Sequence, residues 1–478
     1  MLLSILTQAI PHKLIGRDAD IKRIEYDSRH VKEGDLFCCV SGTFSDGHKY
    51  AREAIEKGAS ALLCEHELPF LVPQIIVENT RVAMAETAAR FYKYPSREMT
   101  IVGVTGTNGK TTTTYMLKSI FEHAGKKVGL IGTIKNMIGS KIIATERTTP
   151  ESVELQELLR RMADEDVDIV VMEVSSHSLV QGRVHGVHFA VGEFTNLTQD
   201  HLDYHKTFEN YFQAKKILFY NCDKAIVNAD DPYAKRIIEG TDCEVLTFGI
   251  SKNADIYAKD IDITTSGVQF TMHKGKESIL LSIPIPGLFS VSNALGAVGV
   301  AMSLGISLKS IKAGLEEMMS VAGRFEPLST GGRDYTVFLD YAHAPDAVEN
   351  VLKTVKEFSK GRIVTLFGCG GDRDRAKRPI MGEIAGRHSD FLIVTSDNPR
   401  TEEPISIIDM IMVGVKKSGC EYIIIEDRRK AIEYALNHAK KDDCIVLAGK
   451  GHENYQEING IKNHFDEKEI VAEILGTK

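Results

Sequence analysis

The alternation of apolar and polar positions divides the chain into three successive α/β units. In the first unit, residues 1–98, "GDLFCCVSG" and "SALLCEHEL" predict strands, while "HKYAREAIEKGA" and "NTRVAMAETAARFYKYPS" have helical spacing. The opening "MLLSILTQAI" predicts an amphipathic helix rather than a signal peptide, because it lacks a charged start and a small-residue cleavage site. The last helix is expected to stop at Pro95, which places the end of this unit there.

The second unit, residues 99–325, alternates strand and helix and then changes period. The predicted strands are "IVGVTG", "KVGLIGT", "DIVVMEVSS", "VGEFTNL", "KAIVNADD" and "VLTFG". This order predicts a mostly parallel sheet covered by helices. The next stretch, "DIDITTSGVQFTMHKGKESILLSIPIPG", has the period of antiparallel hairpins, and the helix "SVSNALGAVGVAMSLG" follows it. We place the exit from this unit at "AGRFEPL".

In the third unit, residues 326–478, four apolar strands each run directly into a loop of Gly, Asp, Arg or His. They are "YTVFLDYAHAP", "RIVTLFGCGGDRD", "FLIVTSDNPRTEEP" and "CIVLAGKGHENYQ". Ligands of open α/β sheets bind outside the carboxyl ends of the strands, so the four loops are predicted to share one edge. The predicted fold class is α/β, with an N-terminal α/β unit, a central P-loop ATPase-like parallel sheet with an antiparallel extension, and a C-terminal Rossmann-like unit.

Composition narrows the class of protein. A chain of 478 residues with 43% hydrophobic and 26% charged residues suggests about three soluble globular domains. The net charge of −8, without a basic block, argues against nucleic acid as a partner. No apolar run is long enough for stable insertion in a membrane. The eight cysteines form no CxxC motif, which favours a reducing cytoplasm over a zinc ribbon or a disulfide framework.

The stretch "TIVGVTGTNGKTTTTYML" has the pattern of a phosphate-binding loop. A strand leads through two glycines into a helix that starts at Lys-Thr, so backbone N–H groups and the helix N-terminus would surround an anion. Lys110 would reach the β- and γ-phosphates, and the Thr111 hydroxyl would ligate Mg²⁺. Val104 stands where strict P-loop spacing requires glycine. The alternative is a glycine turn before an ordinary helix.

Four further residues of the central unit have open interpretations from pattern alone. Glu173, at a strand end, would either complete a Mg²⁺ site with Thr111 or be a solvated carboxylate. His201 and His205 are spaced as in a zinc helix, but Leu202 stands where a metalloprotease needs Glu, which favours a solvated helix face. Lys215, taken alone, predicts an exposed lysine.

Two loops of the third unit are candidates for anion binding. "FGCGGDRDRAKRP" fails the GxGxxG dinucleotide pattern, because Arg373 occupies the third glycine position. Its arginines suit a carboxylate or a phosphate better. "SDNPR" combines turn residues with Arg400, so it predicts either a plain turn or a second anion contact.

Several motifs together resemble the Mur ligase family, the ATP-dependent amide ligases of peptidoglycan precursor synthesis. They are, in chain order, "YDSRHVKEGDLF", "TGTNGKT", "TTP", "EVSSHSLVQGRV", "NLTQDHLDYH", "SNALGA", "AGRFE", "LDYAHAPD" and "DNPRTEEP". The resemblance covers essentially the whole chain. It implies a UDP-substrate-binding domain at 1–98, a central ATP-binding domain at 99–325 and an amino-acid-binding domain at 326–478.

The resemblance also implies a reaction. ATP would phosphorylate the D-Glu carboxylate of UDP-MurNAc-L-Ala-D-Glu, and the amine of the incoming amino acid would attack the acyl phosphate. "DNPR" is the form this family uses for meso-diaminopimelate; L-lysine is the alternative acceptor. Mg²⁺ is the implied cofactor, and we expect a monomer in the cytoplasm.

The implied site residues fall into five groups. Catalysis is expected at Lys110, Lys215 and His201. ATP binding is expected at Gly106, Thr107, Asn108, Gly109, Lys110, Thr111, Thr112, Asn293 and Arg324. The UDP-MurNAc-dipeptide is expected at Ser28, Thr148, Thr149, Ser175, Gln181 and Arg183, although Arg147 departs from the Asn often found beside them. Diaminopimelate is expected at Arg373, Asp397, Asn398, Pro399, Arg400, Gly449 and Glu453, and Mg²⁺ at Thr111, Glu173, His201 and Lys215 as its carbamate.

Three other functions fit the sequence less well. A folylpolyglutamate-synthetase-like ligase would share the central domain, but the N-terminal "DSR" and the "DNPR" loop argue against it. A nucleotide-dependent binding or regulatory protein would not need "GCGGDRD", "DNPR" and "GKGHE" on one edge. The failed dinucleotide pattern disfavours a nicotinamide dehydrogenase.

Overall fold

The computed structural model describes residues 1–42, 45–145 and 147–477. The first unit is a five-stranded sheet in the order β1-β5-β4-β3-β2, parallel except for β1. Its elements are α1 Leu3–Leu6, β1 Lys13–Ile15, β2 Arg23–Glu25, β3 Asp35–Cys38, α2 Ala51–Glu56, β4 Ala61–Cys64, β5 Gln74–Ile76 and α3 Thr80–Phe91. The predicted opening helix is a single turn, and Pro11 follows soon after it.

The second unit is built on an eleven-stranded sheet in the order β16-β15-β14-β13-β12-β11-β6-β10-β7-β8-β9. Its elements are β6 Thr100–Thr105, α4 Lys110–His123, β7 Val128–Ile131, β8 Asn136–Ile138, β9 Lys141–Ile143, α5 Ser152–Asp164, β10 Ile169–Glu173, α6 Ser176–Val180, β11 Phe189–Phe194, α7 Leu202–His205, α8 Phe208–Lys216, β12 Cys222–Asn228, α9 Ala234–Ile237, β13 Glu244–Gly249, β14 Ile256–Thr264, β15 Gly267–Lys274, β16 Glu277–Ile283, α10 Leu288–Ser303 and α11 Leu308–Glu316. The predicted parallel strands and the antiparallel extension are confirmed. The short hairpin β8–β9 was not predicted.

The third unit has a six-stranded sheet in the order β17-β18-β22-β19-β20-β21. Its elements are β17 Glu326–Leu328, β18 Thr336–Asp340, α12 Pro345–Phe358, β19 Ile363–Phe367, α13 Lys377–Arg387, β20 Phe391–Val394, α14 Pro404–Ser418, β21 Glu421–Ile424, α15 Arg428–Asn437, β22 Cys444–Ala448, β23 Tyr455–Ile458, β24 Ile461–His464 and α16 Glu467–Leu475. Strands β18, β22, β19 and β20 are parallel neighbours. Their four polar loops therefore lie at one edge, as predicted.

Apolar packing continues from the second unit into the third. Phe325, buried at the junction, has its ring 4.5 Å from that of Phe338 on β18 and 6.1 Å from that of Phe289 on α10. The Phe325 backbone N–H donates to Asp340 Oδ2 at 2.7 Å. Desolvation raises the pKa of Asp340 to about 6. At this junction the loop after β18 and the phosphate loop after β6 line one cavity.

Among the described residues, no helix has both the length and the apolar character needed to cross a membrane.

Candidate functional site

The phosphate-binding loop connects the end of β6 to the first turn of α4. Gly106 and Gly109 have φ of 152° and 88°, and a Cβ at Gly109 would collide with Asn293 Oδ1. Lys110 folds back over the loop, and its Nζ donates to the carbonyls of Gly106 at 2.8 Å and Thr107 at 2.9 Å. The loop therefore holds a cation at the N-terminus of a helix, as an anion site requires.

Residues after β11 support the loop from the other side. The Asn108 N–H donates to Asn196 Oδ1 at 2.9 Å, and Thr195 Oγ1 donates to the Asn108 carbonyl at 2.6 Å. Thr107 Oγ1 lies 3.1 Å from the hydroxyl of Tyr211 on α8. These bonds fix the loop before any ligand binds, although Asn196, Thr195 and Tyr211 were not among the predicted site residues.

Glu173 lies at the end of β10 beside Thr111. It is 1% exposed, so its alternative interpretation as a solvated carboxylate is wrong. Its Oε2 accepts from Thr111 Oγ1 at 3.0 Å and from Thr133 Oγ1 at 3.0 Å, and its Oε1 accepts from the Thr133 N–H at 2.8 Å. Arg324 donates to Thr111 Oγ1 at 3.1 Å from the junction with the third unit. Oxygen atoms from the end of β10, the first turn of α4 and the segment after β7 thus meet at one point.

Lys215, on α8, points into the same region. It is 1% exposed, so the prediction of an exposed lysine from pattern alone is wrong. Its Nζ donates to the Gly106 carbonyl at 2.8 Å and lies 4.5 Å from the centre of the Tyr211 ring. Burial, and then the nearby charge of Lys110, lower the pKa of Lys215 well below its usual value.

His201 and His205 differ in how far their side chains are buried. His201 has a left-handed backbone with φ of 53°, and its side chain is partly exposed beside Asp200, with Nε2 3.4 Å from Asp200 Oδ2. His205 is buried, and its Nε2 lies 2.9 Å from Ser176 Oγ, so the expectation of a solvated face is wrong for this residue. Desolvation lowers the pKa of His205 to about 4.

A cavity of about 290 Å³ brings much of the predicted set together. Of that set, its walls include Thr107, Asn108, Gly109, Lys110, Thr111, Thr112, Thr148, Glu173, Ser175, His201, Lys215, Asn293 and Arg324. The loop after β18, from Tyr341 to Ala344, closes one side, and the Arg324 guanidinium lies 4.8 Å from the Tyr341 ring centre. The cavity thus lies between the second and third units.

Four of the residues predicted for the dipeptide are linked beside this cavity. Arg183 donates to the Thr149 carbonyl at 3.0 Å and to Gln181 Oε1 at 2.9 Å, and the Ser175 N–H donates to Thr149 Oγ1 at 3.2 Å. Ser28 lies apart in the first unit, where its hydroxyl donates to Glu53 Oε2 at 3.0 Å. Arg147 lies 3.7 Å from Glu151 Oε1, which also pairs with Arg183 Nε at 3.0 Å.

A second polar cluster joins the loops after β20 and β22. Asn398 Nδ2 donates to Glu453 Oε2 at 2.8 Å. Lys450, fully buried behind them, donates to Asn398 Oδ1 at 3.1 Å and to Glu453 Oε2 at 3.3 Å. Gly449 has φ of 117°, and a Cβ there would lie 2.7 Å from Asp397 Oδ2. Lys450 was missed, although the quoted "GKGHE" motif contains it.

The "DNPR" segment is more than a plain turn. Arg400 has φ of 52°, and it forms a bridge to Ile458 of the β23–β24 hairpin. Its guanidinium donates to the Gly371 carbonyl at 2.8 Å and lies 3.2 Å from Glu457 Oε2. Arg373 is exposed nearby, and its guanidinium donates to the Asp372 carbonyl at 3.2 Å. Pro399 and the other residues predicted for the amino acid therefore surround one edge of the third sheet, outside the walls of the main cavity.

The "DNPR" loop is tied to the "GCGGDRD" loop by a buried ion pair. Arg378 donates to Glu402 at 2.7 and 3.0 Å in a two-pronged bond, and the Asp372 N–H donates to Glu402 Oε1 at 2.7 Å. Arg378 lowers the pKa of Glu402 to about 2. Both residues were missed; the arginine-rich "GGDRDRAKRP" pattern pointed to the segment but not to this member.

Comparisons with known proteins agree with the fold. Three families match, described as "Mur ligase family, catalytic domain" at 20–92, "Mur ligase middle domain" at 104–301 and "Mur ligase, glutamate ligase domain" at 323–451. Two curated relatives carry the name UDP-N-acetylmuramoyl-L-alanyl-D-glutamate--2,6-diaminopimelate ligase. The one from Clostridium botulinum is 48% identical over 482 residues, and the one from Caldanaerobacter subterraneus subsp. tengcongensis is 49% identical over 479 residues; each match covers 99% of both chains.

A solved structure under the same name is 33% identical, with a TM-score of 0.69 and 95% of each chain covered. These matches extend through all three units, and the predicted three-domain α/β fold class is confirmed. The chain therefore belongs to the Mur ligase family and is an ATP-dependent ligase.

Proposed function

We propose that this protein joins meso-diaminopimelate to the D-Glu carboxylate of UDP-MurNAc-L-Ala-D-Glu in peptidoglycan precursor synthesis. The observation that carries the proposal is the presence of two polar sites. One is the phosphate-loop cavity, and the other, at the carboxyl edge of the third sheet, is the cluster of Asn398, Glu453 and, through Glu457, Arg400. The relatives' names, at 48–49% identity over 99% of the chain, support this substrate choice.

In this proposal the domain at 99–325 binds ATP. Backbone N–H groups of Gly106–Thr112 surround the phosphates, and Lys110 turns from the loop carbonyls to the β- and γ-phosphates. Asn293, packed against Gly109, and Arg324, at the junction, lie where they can contact the nucleotide. Positive charge from the protein beside the transferring phosphoryl group then stabilises its negative charge and favours formation of the acyl phosphate.

The donor set fits Mg²⁺, which prefers carboxylate, hydroxyl and carbonyl oxygens. Thr111 Oγ1 and Glu173 Oε2 are 3.0 Å apart, and His201 and Lys215 line the same cavity. No cluster of three or more His, Cys, Asp or Glu suited to a metal occurs within residues 1–42, 45–145 and 147–477, so this set depends on a hydroxyl and a modified lysine. When bound, Mg²⁺ would neutralise charge on the phosphates.

Carbamylation of Lys215 suits its surroundings. Lys110 and Lys215 both donate to the Gly106 carbonyl, so two full positive charges there would repel each other. The lowered pKa favours the free amine, which is the form that adds to carbon dioxide with release of a proton. The resulting carbamate replaces a cation with an anion on a long arm, next to the metal ligands.

The domain at 326–478 would bind the acceptor. A carboxylate of diaminopimelate would bind Arg400, with Arg373 and Asn398 near it, and an ammonium would bind Glu453 and Asp397. The domain at 1–98, with Ser28, would bind the UDP end, while Thr148, Thr149, Ser175, Gln181 and Arg183 hold the muramoyl-dipeptide. We further propose that the enzyme acts as a monomer in the cytoplasm, a location that suits its eight free cysteines.

The test measures the phosphate released from ATP in the presence of Mg²⁺ and UDP-MurNAc-L-Ala-D-Glu, with either meso-diaminopimelate or L-lysine as the acceptor. We expect acceptor-dependent release with diaminopimelate and a product of the corresponding mass. Equal efficiency with L-lysine would favour the alternative acceptor. ATP binding without product from either amino acid would favour a nucleotide-dependent binding protein.

A further inference from the structure

Arg428 is a fully buried arginine at the first turn of α15, away from the phosphate-loop cavity. Its Nε donates to Glu467 Oε1, at the start of α16, at 2.8 Å. Its two terminal nitrogens donate to the carbonyls of Ala448 at 2.8 Å and Ser396 at 3.5 Å. One planar guanidinium therefore joins three separate chain segments, and arginine's rigid fork of donors fixes their relative positions.

The two carbonyls stand directly before the two loops of the acceptor cluster. Ala448 ends β22 and precedes Gly449, while Ser396 follows β20 and precedes Asp397. Strand β19 lies between β22 and β20, so the two strand ends are roughly 10 Å apart and share no ladder of hydrogen bonds. Arg428 bridges this gap, and it thereby couples the positions of both loops.

Charge at this point reinforces the coupling. Asp397 Oδ2 is buried and has no hydrogen-bond partner within the described part of the chain, and Arg428 lies 3.7 Å from it. Glu467 is 1% exposed and offsets the buried positive charge. On the far side of the same loops, Asn398 Nδ2 bonds to Glu453 Oε2 at 2.8 Å. The loops are thus joined at the front by the predicted acceptor residues and at the back by Arg428.

We propose that Arg428 is a positioning residue that sets the spacing of the Asp397–Arg400 and Gly449–Glu453 loops, and through it the affinity for the acceptor amino acid. The inference rests on the proposed function, because it needs those loops to bind the acceptor. A displacement of about 1 Å in groups that orient a substrate costs on the order of 10²-fold in rate. Arg428 itself does not touch the acceptor.

The test measures KM separately for acceptor, ATP and the UDP-linked substrate in the full-length protein. Arg428→Met is expected to raise the acceptor KM by about ten-fold or more, with the other two KM values changed by less than about three-fold. Arg428→Lys retains the positive charge but lacks the planar guanidinium, and it is expected to raise the acceptor KM in the same way. It replaces Arg428→Met in the test if the Met variant does not fold. Glu467→Gln keeps an oxygen that accepts from Nε, and its acceptor KM is expected to stay close to that of the unmutated enzyme.

The chain offers a matched control at the opposite edge of the same sheet. Arg362, before β19, pairs with the buried Asp443, before β22, at 2.6 Å. Arg362→Met should lower the melting temperature without changing the acceptor KM. An equal rise of acceptor KM in the Arg362 and Arg428 variants, or no rise in Arg428→Met, would overturn the inference. Absence of acceptor-dependent turnover in the unmutated enzyme would instead overturn the proposed function, and this inference with it.

Discussion

Glu193, on β11, gives a test of the structure that requires no substrate. It is 0% exposed, and neither carboxylate oxygen has a hydrogen-bond partner among the described residues. It faces Gly296 of α10, where a Cβ would collide with Glu193 Oε1. Desolvation raises the pKa of Glu193 well above its usual value, so the folded chain favours the neutral carboxyl.

Glu193→Met keeps an unbranched side chain of similar length and removes the polar atoms. A buried polar group without a partner costs about 1–3 kcal/mol, so we expect the free energy of unfolding to rise by about that amount at mildly acid pH. The gain should then grow with pH. Because desolvation raises the folded-state pKa of Glu193, ionisation adds no cost below the unfolded-state pKa, and the destabilisation by Glu193 grows as pH rises from there toward the folded-state pKa. The slope is about 1.4 kcal/mol per pH unit.

Urea unfolding followed by circular dichroism suits a chain that contains no tryptophan. The unmutated protein and Glu193→Met are compared in steps between about pH 5 and about pH 8, the range in which the difference should widen. Glu244→Met, at an exposed position on β13 of the same sheet, is the control and should show no comparable trend. A Met variant that is less stable, or a difference that does not change with pH, would refute the reasoning.

Three further predictions concern activity. The Lys110→Ala variant should fold normally, and its turnover should fall by a factor of about 10²–10³, because it lacks the cation that contacts the phosphates. Wild-type turnover in this variant would contradict the assignment of the phosphate loop. Lys215→Ala should lose most activity, and formate or acetate should restore part of it in place of the carbamate; intact activity would return Lys215 to a structural role. Arg400→Ala should raise the KM for diaminopimelate by a factor that corresponds to about 2–5 kcal/mol, with much less effect on the KM for ATP. Lysine should be a poor substrate of the unmutated enzyme. Steady-state kinetics of both proteins with both amino acids test these expectations.

The sheet architecture was predictable because its strands are apolar and regularly spaced. Runs such as "DIVVMEV" are buried on both faces in a parallel sheet, and that burial produces the continuous apolar pattern. The hairpin β8–β9 has strands of only three residues, and β17 is equally short at a sheet edge. Strands of three residues bury too few side chains to produce a recognisable alternation of apolar and polar positions, so these strands could not be predicted from the sequence.

The site was less predictable because burial depends on contacts between distant segments. Lys215 follows Tyr211 by four residues, and both lie on the buried face of α8. That spacing was a usable signal, since residues four apart share a helix face. Arg428 offered no such signal: it is one of two adjacent arginines in "EDRRK", and only the assembled sheet places it against Ala448 and Ser396.

The structure also changes the physical basis expected for acceptor choice. Lysine would be rejected by a large penalty only if it left Arg400 buried and unpaired. Arg400 is already paired with Glu457 and the Gly371 carbonyl, and Glu453 already accepts from Asn398 and Lys450. An incoming carboxylate must therefore exchange with these internal partners. A two-pronged hydrogen bond between the second carboxylate of diaminopimelate and the guanidinium can offset the free energy lost with these internal bonds. Lysine has no second carboxylate and therefore forms no such bond at Arg400. Discrimination then comes from the bond that diaminopimelate adds, more than from a penalty that lysine incurs.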